Sequence, residues 1–298
     1  MDLVETIKVG ATLGECPLWC DRTQSLWFTD IEARALYCCN WEERRLERYK
    51  TPERLGCFGF VEGGRELIAG FESGLAFFDP GSGAVTWLAR FENKGMRLND
   101  GRVDRQGRFW AGTMAEDPAL AGRAGLYCFD GSLHVRERGL SIPNSICWSP
   151  DSRFFFLSDS KRNVIWRYGF DPASGEISGR EVFATTPEGV GPDGSAIDAA
   201  GCLWNAQWCG SRVVRYAPDG RVDRVLEVPA SRPTSVAFGG PDLNLLFVTS
   251  SRDGLTPAEL SRESGAGEVF VYNTEFVGLP EHRFSGSTPR RRSSGGQR

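Results

Sequence analysis

The chain has 298 residues, 40% of them hydrophobic and 25% charged, with a net charge of −4. That is ordinary globular composition with enough length for a sizeable core, and the charge is too small for an acidic tail or a nucleic-acid surface. The nine cysteines contain no C-x-x-C pair, the N-terminus lacks the charged start and apolar run of a signal peptide, and no stretch approaches a membrane span, which predicts a cytoplasmic protein with reduced thiols and neither membrane nor nucleic acid as partner.

Residues 2–10, DLVETIKVG, read as a strand left over at the N-terminus. A repeat then begins. Short apolar-aromatic runs occur at SLWFTD (25–30), ELIAGFE (66–72), GRFWAGTM (107–114), FFFLSDS (154–160), GCLWNAQW (201–208) and NLLFVTSS (244–251). Anchored on Trp27, Ile68, Trp110, Phe156, Trp204 and Phe247, they recur at intervals of 41, 42, 46, 48 and 43 residues. Each follows a turn cluster (DRTQ, EGG, DRQG, SPDS, DAAG, GGPD) and precedes a further strand-like segment such as ALYCCN or EVFVYN. Six units of about 45 residues, each of several short strands, match the propeller repeat.

No unit keeps a helical period. WEERRLERYK (41–50) looks helical by its charges, but the repeat register demands the exposed outer strand of the first unit. TPAELSRE (256–263) predicts a short surface helix in the last unit, and residues 2–10 are expected to pair with 267–273 to close the ring. The expectation is an all-β, six-bladed β-propeller over 1–284, followed by a disordered, solvated Ser/Gly/Arg-rich tail at 285–298.

The segments entering each unit are GECPLW, LGCFGF, LNDGRVD, PNSICWS, PDGSAID and PTSVAF. In a propeller this first strand lines the central channel, so equivalent residues of different blades converge there. The residues at that register are Glu15, Gly56, Asn99, Asn144, Asp193 and Thr234, spaced 41, 43, 45, 49 and 41 apart. Four of them are carboxylates or carboxamides where a strand core favours apolar side chains. Asn, Asp and Gly before a strand are also common turn formers, so no single one is diagnostic. Their recurrence in one register points to a shared polar centre, and a divalent cation with hard oxygen ligands would offset the cost of burying them together.

Other chemistries lack their residues. The two histidines, His134 and His282, fall outside this register, and no G-x-S-x-G elbow, Walker loop, H-E-x-x-H or dinucleotide fingerprint occurs. An enzyme built on this chain would work with a metal and carboxylates.

At the same residues the chain resembles the SMP-30/gluconolactonase/luciferin-regenerating-enzyme family, through LGECPLW, LWFTDI, RLNDGRVDRQGRFWAGTM, IPNSICWSPDSRFFFLSDS, GPDGSAIDAAGCLWNAQW and RPTSVAFGGPDLNLLFVTSS. The resemblance implies a six-bladed propeller with one divalent ion and hydrolysis of a small-molecule sugar lactone; the ligand chemistry permits Ca, Mn, Mg, Zn or Fe as that ion. It implies Glu15, Asn144 and Asp193 as metal ligands, Asp193 as general base, and Arg97 and Asn99 as substrate contacts. Asp117, in GTMAEDP, falls near a further acidic substrate contact of the family. The family's usual glycines after the glutamate and the asparagine are Cys16 and Ser145 here. The competing expectations are a non-enzymatic calcium-binding regulatory propeller, an interaction scaffold, and a lactonase or esterase with a non-sugar substrate.

Overall fold

A computed structural model describes residues 1–91 and 95–286. Its strands form six four-stranded antiparallel sheets, arranged as a six-bladed β-propeller. In each blade the chain runs from the hub outward. Blade 1 comprises Gly14–Cys20, Ser25–Asp30, Ala35–Asn40 and Arg45–Lys50; blade 2 comprises Leu55–Phe60, Leu67–Phe71, Gly74–Asp79 and Ala84–Arg90. Blade 3 comprises Met96–Val103, Phe109–Ala115, Ala124–Phe129 and Leu133–Leu140; blade 4 comprises Pro143–Trp148, Phe154–Asp159, Val164–Asp171 and Glu176–Thr185. Blade 5 comprises Gly191–Ile197, Leu203–Trp208, Arg212–Tyr216 and Val222–Glu227. Blade 6 takes Pro233–Gly239, Leu245–Ser250 and Val269–Asn273 from one end of the chain and its outer strand, Asp2–Ile7, from the other.

All six apolar-aromatic runs are the second strands of their blades. Arg45–Lys50 is the outer strand of blade 1 despite its helical charge pattern, because its mixed exposure suits a rim strand with one face on the blade. The helix expected over 256–263 is the single turn Pro257–Leu260, opened by a capping box between Thr256 and Glu259. No helix among the described residues is long and apolar enough to cross a membrane.

Turn chemistry explains the hairpins between first and second strands. In blade 3, Asp104 accepts the backbone N–H groups of Gln106 and Arg108 at 3.0 Å each and Trp110 Nε1–H at 2.9 Å. Asp198 does the same in blade 5 for Ala200, Cys202 and Trp204 Nε1. One buried carboxylate thus closes the turn and satisfies the indole of a fully buried tryptophan. The core lies between blades. Trp27 meets Phe60 edge-on, Trp204 meets Phe238 edge-on, and Trp19 stacks on Phe247 across the closure between blades 1 and 6. All nine cysteines are unpaired, and only Cys209 is exposed.

Past blade 6 the chain crosses one end of the hub. Bridges join Gly278 to Asp198 of blade 5 and Phe284 to Val61 beyond the inner strand of blade 2. Glu281 grips Arg102 of blade 3 at 3.0 and 2.5 Å, and Arg102 also donates to Ser195 O of blade 5. Of the expected tail, Ser285 and Gly286 are described, with Ser285 N–H donating to Gly107 O at 3.0 Å; residues 287–298 lie outside the described residues.

Candidate active site

The inner strand of every blade carries a register shift of the kind a β-bulge makes. The shifts fall at Glu15/Leu18, Leu55/Cys57, Leu98/Gly101, Asn144/Cys147, Pro192/Ser195 and Pro233/Ser235. These are the positions of Glu15, Gly56, Asn99, Asn144, Asp193 and Thr234. A bulge bends its strand and re-aims the side chain at the bend. Of the six, Glu15, Asn99, Asn144 and Asp193 reach the hub cavity, whereas Gly56 has no side chain to offer and Thr234 turns its hydroxyl onto Gly14 O and Thr249. The residues after Glu15 and Asn144 then need left-handed backbone: Cys16 has φ 48° and Ser145 φ 60°. Glycine tolerates that region freely, which accounts for the glycines the family resemblance leads one to expect there.

Glu15, Arg97, Asn99, Asn144 and Asp193 all line one cavity of about 470 Å³ at the hub, opposite the end crossed by residues 274–286. A cavity of this size admits a monosaccharide-sized ligand. Exposed Lys161 and Asp253 and half-buried Trp208 lie on its wall. Asp117 does not line it. Its side chain accepts Ala119 N–H and caps a short 3-10 turn, while the preceding Glu116 approaches Arg97. Neither histidine lines the cavity; His134 is on an exposed hairpin beside Asp130 and His282 is in the C-terminal segment.

The polar groups form a directed chain. Arg97 Nη1 donates to Asn99 Oδ1 at 2.7 Å. Asn99 Nδ2 donates to Asn144 Oδ1 at 3.0 Å, and Asn144 Nδ2 to Ser160 Oγ at 2.8 Å. Ser160 has its own proton on Pro192 O at 2.8 Å, so toward Asn144 it can only accept. The orientation of both amides follows from this chain, and it leaves Asn144 Oδ1 facing Asn99 in the cavity. On the Asp193 side, Ser145 Oγ and Asn205 Nδ2 donate to Asp193 O at 2.5 and 2.9 Å, which ties the bulges of blades 4 and 5 together.

Charge at the hub is unbalanced toward acid. Burial pushes the Glu15 carboxyl well above its ordinary range; neighbouring Asp100 adds to this, while Cys16 N–H and the Arg97 charge oppose it. Asp193 rises through burial and through repulsion from Glu15 and Asp100. Asp100 rises by burial, held by Gly101 and Ile146 N–H at 2.8 and 3.0 Å. Among the described residues no three His, Cys, Asp or Glu side chains form a metal cluster. The set present is two carboxylates and the carboxamide oxygen of Asn144. All are oxygen donors, and among the described residues neither acid has an ion-pair partner, so the residues fit a hard divalent cation.

Asp100, Ser160, Asn205 and Glu116 belong to this constellation without having been singled out as site residues from sequence. Asn205 carried a signal: it is a fully buried polar residue in the middle of the second strand LWNAQW. Ser160 and Glu116 follow the ends of second strands and carried none.

The family described as SMP-30/Gluconolactonase/LRE-like region matches residues 13–252. An L-arabinolactonase of Azospirillum brasilense is 42% identical over 289 residues, covering 94% of each chain. A pentonolactonase of Haloferax volcanii is 35% identical, covering 95% of this chain and 98% of its own. The crystal structure of a calcium-binding protein, regucalcin, from Agrobacterium tumefaciens superposes with a TM-score of 0.90 at 31% identity, covering 95% of this chain and 97% of that one. With its six blades, its hub cavity and these relatives spanning nearly its full length, the chain belongs to the SMP-30/gluconolactonase/LRE-like family.

Proposed function

We propose that this chain is a sugar lactonase that opens an aldonolactone, of pentono- or hexono- type, to the aldonic acid with one divalent cation held by Glu15, Asn144 and Asp193. The observation that carries the reading is the meeting of these three with Arg97 and Asn99 in one cavity at the hub. Lactonases among the relatives support the reaction class, and two of them are named for pentose-derived lactones.

The bound cation would supply Lewis-acid polarisation of the lactone carbonyl and charge stabilisation in the transition state. The chain's own residues do the rest. Arg97 offers a rigid fork of donors to ring hydroxyls or the carbonyl, and Asn99 holds that fork through Nη1. Asp193 takes a proton from the attacking water. The water oxygen bonds to the carbonyl carbon, the ring C–O bond breaks, and the ring oxygen leaves as a hydroxyl after protonation. The product is an aldonate plus one proton.

The test is a panel of aldonolactones on metal-stripped protein with each cation restored singly, reading acid release. Turnover is expected only with a cation present. Asp193→Ala and Glu15→Gln are each expected to lower kcat/KM by roughly 10²–10⁴-fold with unchanged circular dichroism. A folded Asp193→Ala variant of full activity sinks the assignment. A second reading, calcium binding without catalysis, is favoured by the calcium-binding neighbour; it predicts cation binding at the same residues with no lactone opened.

A further inference from the structure

Where blades 1, 2 and 3 meet, Arg54 uses every donor it has. Its Nε and Nη2 grip Glu72 at 3.0 and 2.9 Å, Nη1 and Nη2 grip Glu116 at 2.7 Å each, and Nη1 also reaches Glu32 at 3.1 Å. A guanidinium has five N–H bonds, and all five end on carboxylates. Those carboxylates come from equivalent places: Glu32, Glu72 and Glu116 each follow the second strand of blades 1, 2 and 3. Arg54 has no donor left for a ligand.

Arg97 is the reverse case. It is buried, with Nη1 spent on Leu98 O at 3.0 Å and on Asn99 Oδ1. Among the described residues its Nη2 makes no hydrogen bond and its buried Nε has none either. The carboxylate nearest Nε is Glu116, at 3.6 Å, the same carboxylate that Arg54 clamps. That spacing is an ion pair rather than a hydrogen bond. Arg97 is thus fixed at one end by Asn99 and balanced at the other by Glu116, with Nη2 left for an incoming oxygen.

We propose that Glu116 is a positioning residue for substrate binding, aiming the guanidinium of Arg97 into the cavity, and that Arg54 acts only through Glu116 by holding it in place. The proposal rests on the reading that Arg97 contacts the lactone. Arg54 carries out no chemistry and touches no substrate. Its part is to hold the segments after the second strands of three blades in one geometry, so that the direction of Arg97 does not depend on one loop.

The experiment compares Arg97→Met, Glu116→Gln, Arg54→Met, Arg54→Lys and the double variant Arg54→Met/Glu116→Gln. The substrate is the aldonolactone turned over fastest in the panel above, and melting curves and calorimetric cation binding accompany the kinetics. Glu116→Gln is expected to raise KM about fivefold with kcat within about twofold, as for loss of a partly buried ion pair. Arg54→Met is expected to match it, and the double variant to be no worse than Glu116→Gln alone, because the two act in series. Cation affinity is expected to stay unchanged in the Glu116 and Arg54 variants. Arg54→Lys keeps the charge with fewer donors, so an intermediate KM is expected; it also serves if Arg54→Met does not fold. An unchanged KM in Glu116→Gln, or additive losses in the double variant, overturns the relay while Arg97→Met still raises KM. If Arg97→Met leaves KM unmoved, or no aldonolactone is opened, the underlying assignment of Arg97 has failed and the relay with it.

Discussion

Two serines decide how tightly the hub is tied, one of them on left-handed backbone. Ser145 has φ 60°, which costs about 1–2 kcal/mol relative to glycine, yet its hydroxyl donates to Asp193 O and accepts from Ser195 Oγ at 2.8 Å and from Asn205 Nδ2 at 3.2 Å. Ser145→Gly would relieve the backbone and lose those bonds, effects of similar size and opposite sign. The expected outcome is a melting temperature close to that of the parent and a several-fold lower kcat/KM, because Asp193 loses a tether. Ser160 acts on the other side of the hub by fixing the amide of Asn144. Ser160→Ala is expected to weaken cation binding roughly 10–100-fold, the cost of losing a group that orients a metal ligand. Calorimetric titration of metal-stripped protein checks this without reference to turnover. At this scale the polar register was legible, because Glu15, Asn99, Asn144 and Asp193 recur at one position of the repeat. Ser160 was not, because a serine at a strand end looks the same whether or not an amide rests on it.

The element that shapes the site is the bulged inner strand. It packs close to its neighbours: a Cβ on Gly56 would lie 2.4 Å from Leu98 O of blade 3, and one on Gly194 would lie 2.1 Å from Ser235 Oγ of blade 6. Gly56→Ala is therefore expected to destabilise the fold by about 1–3 kcal/mol, since the atom it meets is backbone and cannot rotate away. Urea unfolding measures this directly. Second strands and their turns were readable from aromatic runs preceded by Asp, Gly and Ser. Inner strands were harder: Leu55–Phe60 is buried throughout, so it shows no alternation, and a bulge leaves no signature in the pattern. The charged run at 41–50 was resolved only by its place in the repeat, since its i, i+4 charges suit a helix as well as a rim strand.

The whole ring is closed by its two ends. The strand Asp2–Ile7 completes blade 6 by pairing with Val269–Asn273, from Asp2 opposite Asn273 to Ile7 opposite Val269. The segment after blade 6 fastens blades 2, 3 and 5 across the far end through Phe284, Glu281 and Gly278. Deleting residues 2–7 would expose the edge of Val269–Asn273 and is expected to lower the melting temperature by about 10 °C, as for a loss of several kcal/mol in a chain of this size. Calorimetry checks it.

By itself the sequence determined the number of blades, the place of each second strand and which polar residues share a register, because these follow from turn chemistry and side-chain periods that act over a few residues. It also pointed to a hub rich in oxygen donors. The tertiary structure alone decided that Glu116 rather than Asp117 faces Arg97, that Ser160 sets the Asn144 amide, and that Asp100 joins the hub's acids. Each of those depends on distances between segments that only ring closure brings together, and no local pattern encodes them.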